Sequence, residues 1–312
     1  MTIKMDGIQH RFDANETLYV ARELESVEAT LYEWEEKELK YRALVPVSNE
    51  DSPGAESVTY RMITMIGMAK IIANYSDDIP RSDAITKEYT QSVKTIATSF
   101  GYNTQEVRAA AMVNKPLDKI KADSARRAVR ELENNICWTG DDSHGIIGFL
   151  NNPNIPVLAA PAGVGGTTWA LKTPDEIIAD VSLMVQTERT QSKGIHSGET
   201  LILPIAQDTL ISTTPRSTNS DTTIKNFILN NKAFGIKQIE WLNELENAFT
   251  GGTEDGAVLY EKNPRVIQNR IPLEMVTHPI QEQGLEYIIP IEARNGGVVV
   301  RYPLACLFFT GI

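Results

Sequence analysis

From Leu117 to Ile136 the apolar residues Leu117, Ile120, Ala125, Ala128, Val129, Leu132 and Ile136 recur at helical spacing, flanked by Arg126, Arg127, Arg130, Glu131 and Glu133. The pattern predicts one amphipathic helix of about five turns, long enough to act as a spine. Lys115-Pro116 stands just before it. Proline interrupts a helix interior but starts a new helix comfortably. Gly140 follows, and a glycine in the left-handed region ends a helix. The next stretch, GDDSHGIIGFLNNPNIPVLAAPAGVGG, is rich in glycine and proline and reads as a long loop with short extended pieces.

Upstream of the spine the texture is different. Residues Glu16 to Tyr41 read as a helix, with Asn15 as N-cap and a partial stripe of Leu18, Leu24, Val27, Leu31 and Trp34. Its other faces carry Glu23, Glu25, Glu28, Glu33, Glu35, Glu36, Lys37, Glu38 and Lys40. Two readings stay open: a solvated surface helix, or a helical arm docked on another subunit. Leu44 to Ser57 is a turn-rich break containing Pro46, Pro53 and Gly54. The run from Val58 onward is β-branched and aromatic, as strands are, and Asp77, Asp78 and Pro80 close it. A second strand-like run spans Tyr89 to Tyr102. Together they predict an extended hairpin. An isolated two-stranded ribbon is marginal in water, so a projecting one needs other copies to cover it.

Downstream, TPDEIIADVSLMVQTERTQS is helical, with Thr173 as cap and Pro174 at the first position. ETLILPIA reads as a buried strand, Thr222 to Asn231 as a short helix, and IKQIEWL and AVLYEK as strands. Strand signals also fill RIPLEMVTHPI, LEYIIPIEA and GGVVVRYPLACLFFTGI. Strand–helix units followed by terminal strands indicate an α+β fold.

Little in the chain points to chemistry. With 312 residues it holds one large domain or two ordinary ones, and 42% hydrophobic with 23% charged residues is globular composition. A net charge of −11 argues against nucleic acid as the main partner, because phosphate affinity comes from clustered Lys and Arg. There is no apolar run of membrane-spanning length, and MTIKMDGIQHRFDANETL is not a secretory signal. Cys137 and Cys306 are expected to be buried free thiols, which suits a reducing compartment such as a cytoplasm.

His10, His144, His196 and His278 show no metal-ligand spacing. Asp141, Asp142, Ser143 and His144 fall together in GDDSHG, where a metal-dependent hydrolase is conceivable but turn hydrogen bonds are the ordinary use. The alternating acidic pattern of a calcium loop is missing there. Gly163 to Gly166 lack the lysine and hydroxyl of a phosphate loop, and no nucleophile elbow occurs. Asp77-Asp78 reads as a solvated turn, and Arg126, Arg127 and Arg130 as a helix face paired with Asp123 and Glu131. No catalytic, cofactor or metal residue is expected.

Four segments carry a likeness. They are ARELESVEATLYEWEEKELKYRALVPV, GMAKIIANYSDDIPRSD, SFGYNTQEVRAAAMVNKPLDKIKADSARRAVRELENNICWTGD and HGIIGFLNNPNIP, with a weaker match in GGVVVRYPLA. In these the chain resembles the major capsid proteins of tailed bacteriophages with the Hong Kong 97-type fold, which encapsulin compartments share. The resemblance implies an N-terminal arm (about 1–47), an extended hairpin loop (about 48–103) and a peripheral domain on the spine helix (about 104–160, completed by about 262–295). An axial domain follows (about 161–261, completed by about 296–312). It also implies a structural, non-enzymatic subunit that assembles with itself into hexamers and pentamers of an icosahedral head around double-stranded DNA, without sequence-specific binding.

The implied location is the virion capsid, assembled in the host cytoplasm. Implied partners are a portal and, since the arm begins near Met1, a separate scaffolding protein, with a decoration protein optional and no membrane. The alternative within the fold is an encapsulin-like shell around protein cargo. Some relatives cross-link a hairpin lysine to an asparagine. Lys70, Lys87 and Lys94 lie in that region, but the reaction is not carried over.

Overall fold

The spine helix is α3 (Leu117–Trp138), and it lies on a sheet of long strands. This computed structural model describes residues 37–71, 81–113, 117–217, 219, 221–249 and 251–312. Before the spine come α1 (Tyr41–Leu44), β1 (Val47–Ser48), β2 (Ser57–Ile66), β3 (Asp83–Ser92), β4 (Lys94–Asn103) and α2 (Thr104–Val113). After it come β5 (Gly140–Asp141), β6 (Ile146–Ile147), β7 (Val157–Ala159), α4 (Pro174–Gln191), β8 (Thr200–Leu203), α5 (Ile205–Thr213), α6 (Ile224–Asn230) and β9 (Gln238–Trp241). The chain ends with β10 (Gly256–Tyr260), β11 (Ile267–Arg270), β12 (Leu273–Thr277), β13 (Gln281–Gln283), β14 (Glu286–Asn295), β15 (Val298–Val300) and β16 (Cys306–Thr310).

Strand β14 organises the peripheral sheet. It pairs antiparallel with β4 from Glu286↔Asn103 to Asn295↔Lys94, and on its other side with β12 and β13. The spine covers this sheet with Ala125, Val129 and Ile136, which meet Ile96, Ile291 and Ala293 in one small core. Ile120, Ala128 and Leu132 do not join it; they are exposed, so the buried stripe is narrower than the sequence pattern suggests. The sheet covers only part of the helix's circumference, and apolar residues off that arc find nothing to bury them within the described chain.

A second layer system holds the other half. Its five strands run in the order β7-β16-β10-β8-β9. Strands β8 and β9 are parallel, so the chain must cross over between them, and α5 and α6 form that crossover. Helix α4 closes the layer with Ile177, Val181, Met184 and Val185 against Leu201, Leu203, Leu259 and Phe309. Its start follows the expected chemistry: Thr173 and Glu176 form a reciprocal capping box, with Pro174 inside the first turn. Between the two systems lies the largest core, where Trp138, Phe149, Tyr260 and Phe308 meet. Cys137 and Cys306 are free and buried in it.

Several expectations need correcting. The hairpin does not run from Val58 to Tyr102. Its return strand begins at Asp83 and stops at Ser92, and Val93 is a buried break. The remaining residues, β4, belong to the peripheral sheet. No turn residue marks that break, and the partner of β4 lies far along the chain, so no local signal was available. The ETLILPIA strand ends at Leu203, because Pro204 opens α5. Residues 37–40 are not helical, and only Tyr41–Leu44 coil into a single turn. The rest of the predicted arm helix, Asp77-Asp78, Lys115-Pro116 and His10 lie outside the described residues.

Candidate assembly surfaces

The β2–β3 ribbon is in register from Ser57↔Ser92 to Ile66↔Asp83, which fixes the face that each side chain occupies. Near its base one face packs down on the body. Val58 is buried, Tyr60 and Met62 are half-buried, and the Tyr60 and Tyr89 rings stack at 5.3 Å. The opposite face there is polar, with Thr59 on Thr90 at 2.9 Å and Arg61 on Glu88 at 2.7 Å. A cavity of about 330 Å³ lies under the ribbon base, lined by Tyr60, Met62, Tyr89, Ile147, Asn154 and Arg301.

The base is tied down. The Ser92 hydroxyl lies 3.2 and 3.3 Å from the carbonyls of His144 and Gly145, and the Gln91 amide donates to Ile147. Arg294 donates to the carbonyl of Pro53.

Toward the tip this alternation of buried and polar faces is lost. Ile63 (64% exposed) and Met65 (88%) point to one face, and Ile66 with Ile85 to the other, and all are in the open. Met68 and Ile71 continue the series beyond the strand. A second exposed apolar group sits at the far end of the peripheral sheet. There Thr104, at the head of α2, donates through both its amide and its hydroxyl to the carbonyl of Leu285. Val107, Met112, Ile280 and Leu285 are all exposed at this end. Apolar surface gathered at the extremities of a chain, away from its cores, is the signature of surface that another molecule covers.

The residues weighed for chemistry form a turn. Asp141 accepts from the Ser143 amide at 3.0 Å and its hydroxyl at 2.5 Å, while His144 Nδ1 lies 2.6 Å from the other carboxylate oxygen. These bonds, Ser143's first and then His144's, hold the Asp141 carboxyl below the usual range. The Ser143 hydroxyl also lies 2.9 Å from His144 Nδ1, but its one proton goes to the Asp141 carboxylate, so the three side chains form a closed turn, and the His144 side chain is exposed. Asp142 contributes its carbonyl to the Gly145 amide.

The basic helix face is paired locally, Arg126 with Asp123 at 3.5 Å and Arg127 with Glu131 at 3.1 Å. His196 pairs with Glu261 at 2.8 Å and His278 with Glu292 at 3.2 Å. Among the described residues no group of three His, Cys, Asp or Glu side chains is placed to hold a metal ion. Among them, too, no helix is long and apolar enough to cross a membrane.

Among the buried carboxyls that the sequence does not reveal is that of Glu188. Glu188, on α4, is fully buried, and burial pushes its carboxyl up. The Gly198 amide, Arg189 and His196 act in the opposite direction, and Glu261 adds to the rise. A carboxyl raised in the folded state stabilises the fold fully below its unfolded value, about 4.3, and loses that contribution as pH climbs through the folded value. Glu188→Gln is therefore expected to raise the melting temperature at pH 8, with the gain shrinking toward pH 4. Identical melting of variant and parent across that range would mean that Glu188 titrates as an ordinary surface carboxyl.

Residues 67–312 match the family described as Major capsid protein. No curated protein is significantly similar in sequence. In structure the chain is similar to the capsid of Myoviridae phage XM1, with TM-score 0.82 and 17% identity over 94% of this chain and 98% of that one. It is also similar to a chain of Mycobacterium phage Bobi, with TM-score 0.64 and 11% identity over 96% and 98%. A virus-like particle from Pyrococcus furiosus is more distant, with TM-score 0.51 and 13% identity over 88% and 92%. At these identities the likeness is one of fold.

Proposed function

The chain belongs to the major capsid protein family, whose role is structural rather than catalytic, and from that membership we propose that its subunits close as hexamers and pentamers into an icosahedral phage head around double-stranded DNA. Its fold is the Hong Kong 97-type α+β fold. The observation that carries the reading is the outer end of the described ribbon, where Ile63, Met65, Ile66 and Ile85 stand exposed on both faces, largely uncovered by the described residues. A tip of that kind is stable only when neighbouring copies enclose it.

The proposed division is an arm (about 1–47), an extended hairpin loop (about 48–103, its last strand lent to the peripheral sheet), a peripheral domain (about 104–160 with 262–295) and an axial domain (about 161–261 with 296–312). The acidic balance suits a wall that holds DNA loosely and without sequence preference. A portal and a separate scaffolding protein are the proposed partners, with a decoration protein optional, and assembly takes place in the host cytoplasm. Membership in this family favours the phage head over a compartment filled with protein cargo.

Electron microscopy of the expressed protein after size exclusion tests this directly. Closed shells, rings or tubes are expected. A subunit that stays monomeric at high concentration, even with its scaffolding partner supplied, would sink the proposal. Removing residues 1–38 probes the arm, because residues 39–312 form a compact unit of their own. The truncated chain is expected to keep its fold by circular dichroism and to lose most of its closed shells. Normal shells from it would show that the arm bridges nothing.

A further inference from the structure

Three consecutive side chains, Lys40, Tyr41 and Arg42, reach into three separate parts of the body. The Lys40 ammonium lies over the Trp241 ring, 3.3 Å from its centroid, and 3.5 Å from Glu240, both residues of β9. The Tyr41 hydroxyl donates to Glu133 Oε2 on the spine at 2.5 Å. Arg42 donates from Nε to the Tyr41 oxygen at 2.9 Å and from Nη2 to Glu133 at 3.3 Å. It also grips both carboxylate oxygens of Glu274 on β12, at 3.1 and 2.8 Å, and Asn49 supports that carboxylate at 3.3 Å. The far end of the turn is held as well, since the Tyr260 hydroxyl donates to the carbonyl of Leu44 at 2.7 Å.

Glu133 is fully buried, and a buried carboxylate is costly unless it is paired and hydrogen-bonded. The sequence therefore spends an awkward charge, near the C-terminal end of the spine helix, on holding a single turn of chain. The burial of Leu44 and Val45 anchors only the far end of the turn, so the polar network is what fixes Lys40–Arg42 and the carbonyls to which their amides bond.

We propose that Lys40–Arg42 is a clamp that keeps rigid the point where the N-terminal residues depart from the body, with Tyr41, Arg42 and Glu133 as positioning residues for assembly. The inference rests on the reading that the arm meets a neighbouring subunit. Fixing the root matters because it sets the one point on the body from which the N-terminal residues must reach a neighbouring subunit.

The test uses the full chain carrying Tyr41→Phe with Glu133→Gln. This pair removes the hydroxyl–carboxylate bond and the charge that draws Arg42 inward without stranding a buried carboxylate. In native subunits the Leu44 and Val45 amides donate to the carbonyls of Lys40 and Tyr41, so their hydrogen exchange reports the turn. The variant is expected to melt like the parent and to exchange these two amides about 10- to 100-fold faster, the scale of a lost hydrogen bond to a charged group. Its yield of closed shells is expected to fall at least about tenfold, which would be the signature of positioning rather than of mere stability.

Unchanged exchange would overturn the clamp, and so would faster exchange with normal shells. If the double variant fails to fold, Arg42→Met with Glu274→Gln loosens only the outer half and is read the same way. Chains lacking residues 1–38 separate the two ideas. Normal shells from the clamp variant and none from the truncation would refute the clamp and leave the arm reading standing. Normal shells from the truncation would refute both.

Discussion

Replacing Ile63 and Met65 together by aspartate is expected to leave the melting of the isolated subunit unchanged and to abolish closed shells. Both side chains stand in the open on one face of the ribbon, across from Thr86 and Ala84, and neither belongs to a core. Their loss therefore costs the folded subunit almost nothing. In an assembled wall each would be buried, and burying a side chain of this size is worth about 1.5 to 3 kcal/mol, so the pair forfeits about 3 to 6 kcal/mol per subunit. That is a factor of about 100 to 10,000 at every contact, before the cost of desolvating two new carboxylates. The same loss recurs at every subunit of a closed wall. Size exclusion and electron microscopy read the result, and shells at normal yield would show that the ribbon tip is not an assembly surface.

The other large effect falls on folding. Gly140 ends the spine at φ +72°, and Gly148 packs directly on it. A Cβ on Gly148 would lie 2.3 Å from the Gly140 nitrogen, 2.5 Å from the Thr139 carbonyl carbon and 2.6 Å from the Trp138 oxygen. All three are backbone atoms that cannot swing aside.

The approach is needed because the chain doubles back to cap the helix. Phe149 donates to the Cys137 carbonyl and Leu150 to that of Trp138, each at 2.8 Å, which satisfies two carbonyls the helix leaves unpaired. Gly148→Ala pushes this segment off and draws Phe149 away from Trp138, Tyr260 and Phe308. The expected cost is about 3 kcal/mol or more, the range of a lost core aromatic, read as a lower denaturation midpoint or as insoluble protein. Gly145→Ala is the control. That glycine also has positive φ but open space around its Cβ position, so about 1 to 2 kcal/mol is expected. Equal midpoints for the two variants would show that the close approach carries no load.

These residues also show how far the sequence could be read. The helix ends were legible because their chemistry is local: Thr173 and Glu176 cap α4, and Gly140 ends α3. The turn at Asp141–Ser143 was legible for the same reason. The partner of β4 was not, because strand pairing between residues 94–103 and 286–295 leaves no trace at either site beyond strand propensity. Gly148 looked like one more glycine in a loop rich in them, since its reason is a backbone reached only after the chain turns back. Glu133 read as a flanking charge, because its partners Tyr41 and Arg42 sit far away in sequence. The exposed Ile120 and Leu132 misled in the other direction. A 3.6-residue period reports which face is apolar, and says nothing of whether this chain or another covers it.

Strand β16 lies inside its sheet, between β7 and β10, although it follows both of them in the chain. A nascent chain that has already made both flanking strands still has nothing to bridge them until residues 306–310 emerge. Until then Leu201, Leu259 and the inner face of α4 lack the cover that Leu307 and Phe309 provide. Long-range pairings of this kind are slow to form and leave apolar surface at risk in the interval. A chain cut before residue 306 would lack the keystone and could not present a finished building block. The position of that strand thus makes residues 306–310 a condition of entry, and keeps fragments that lack them out of a wall whose every place must be filled by a folded copy.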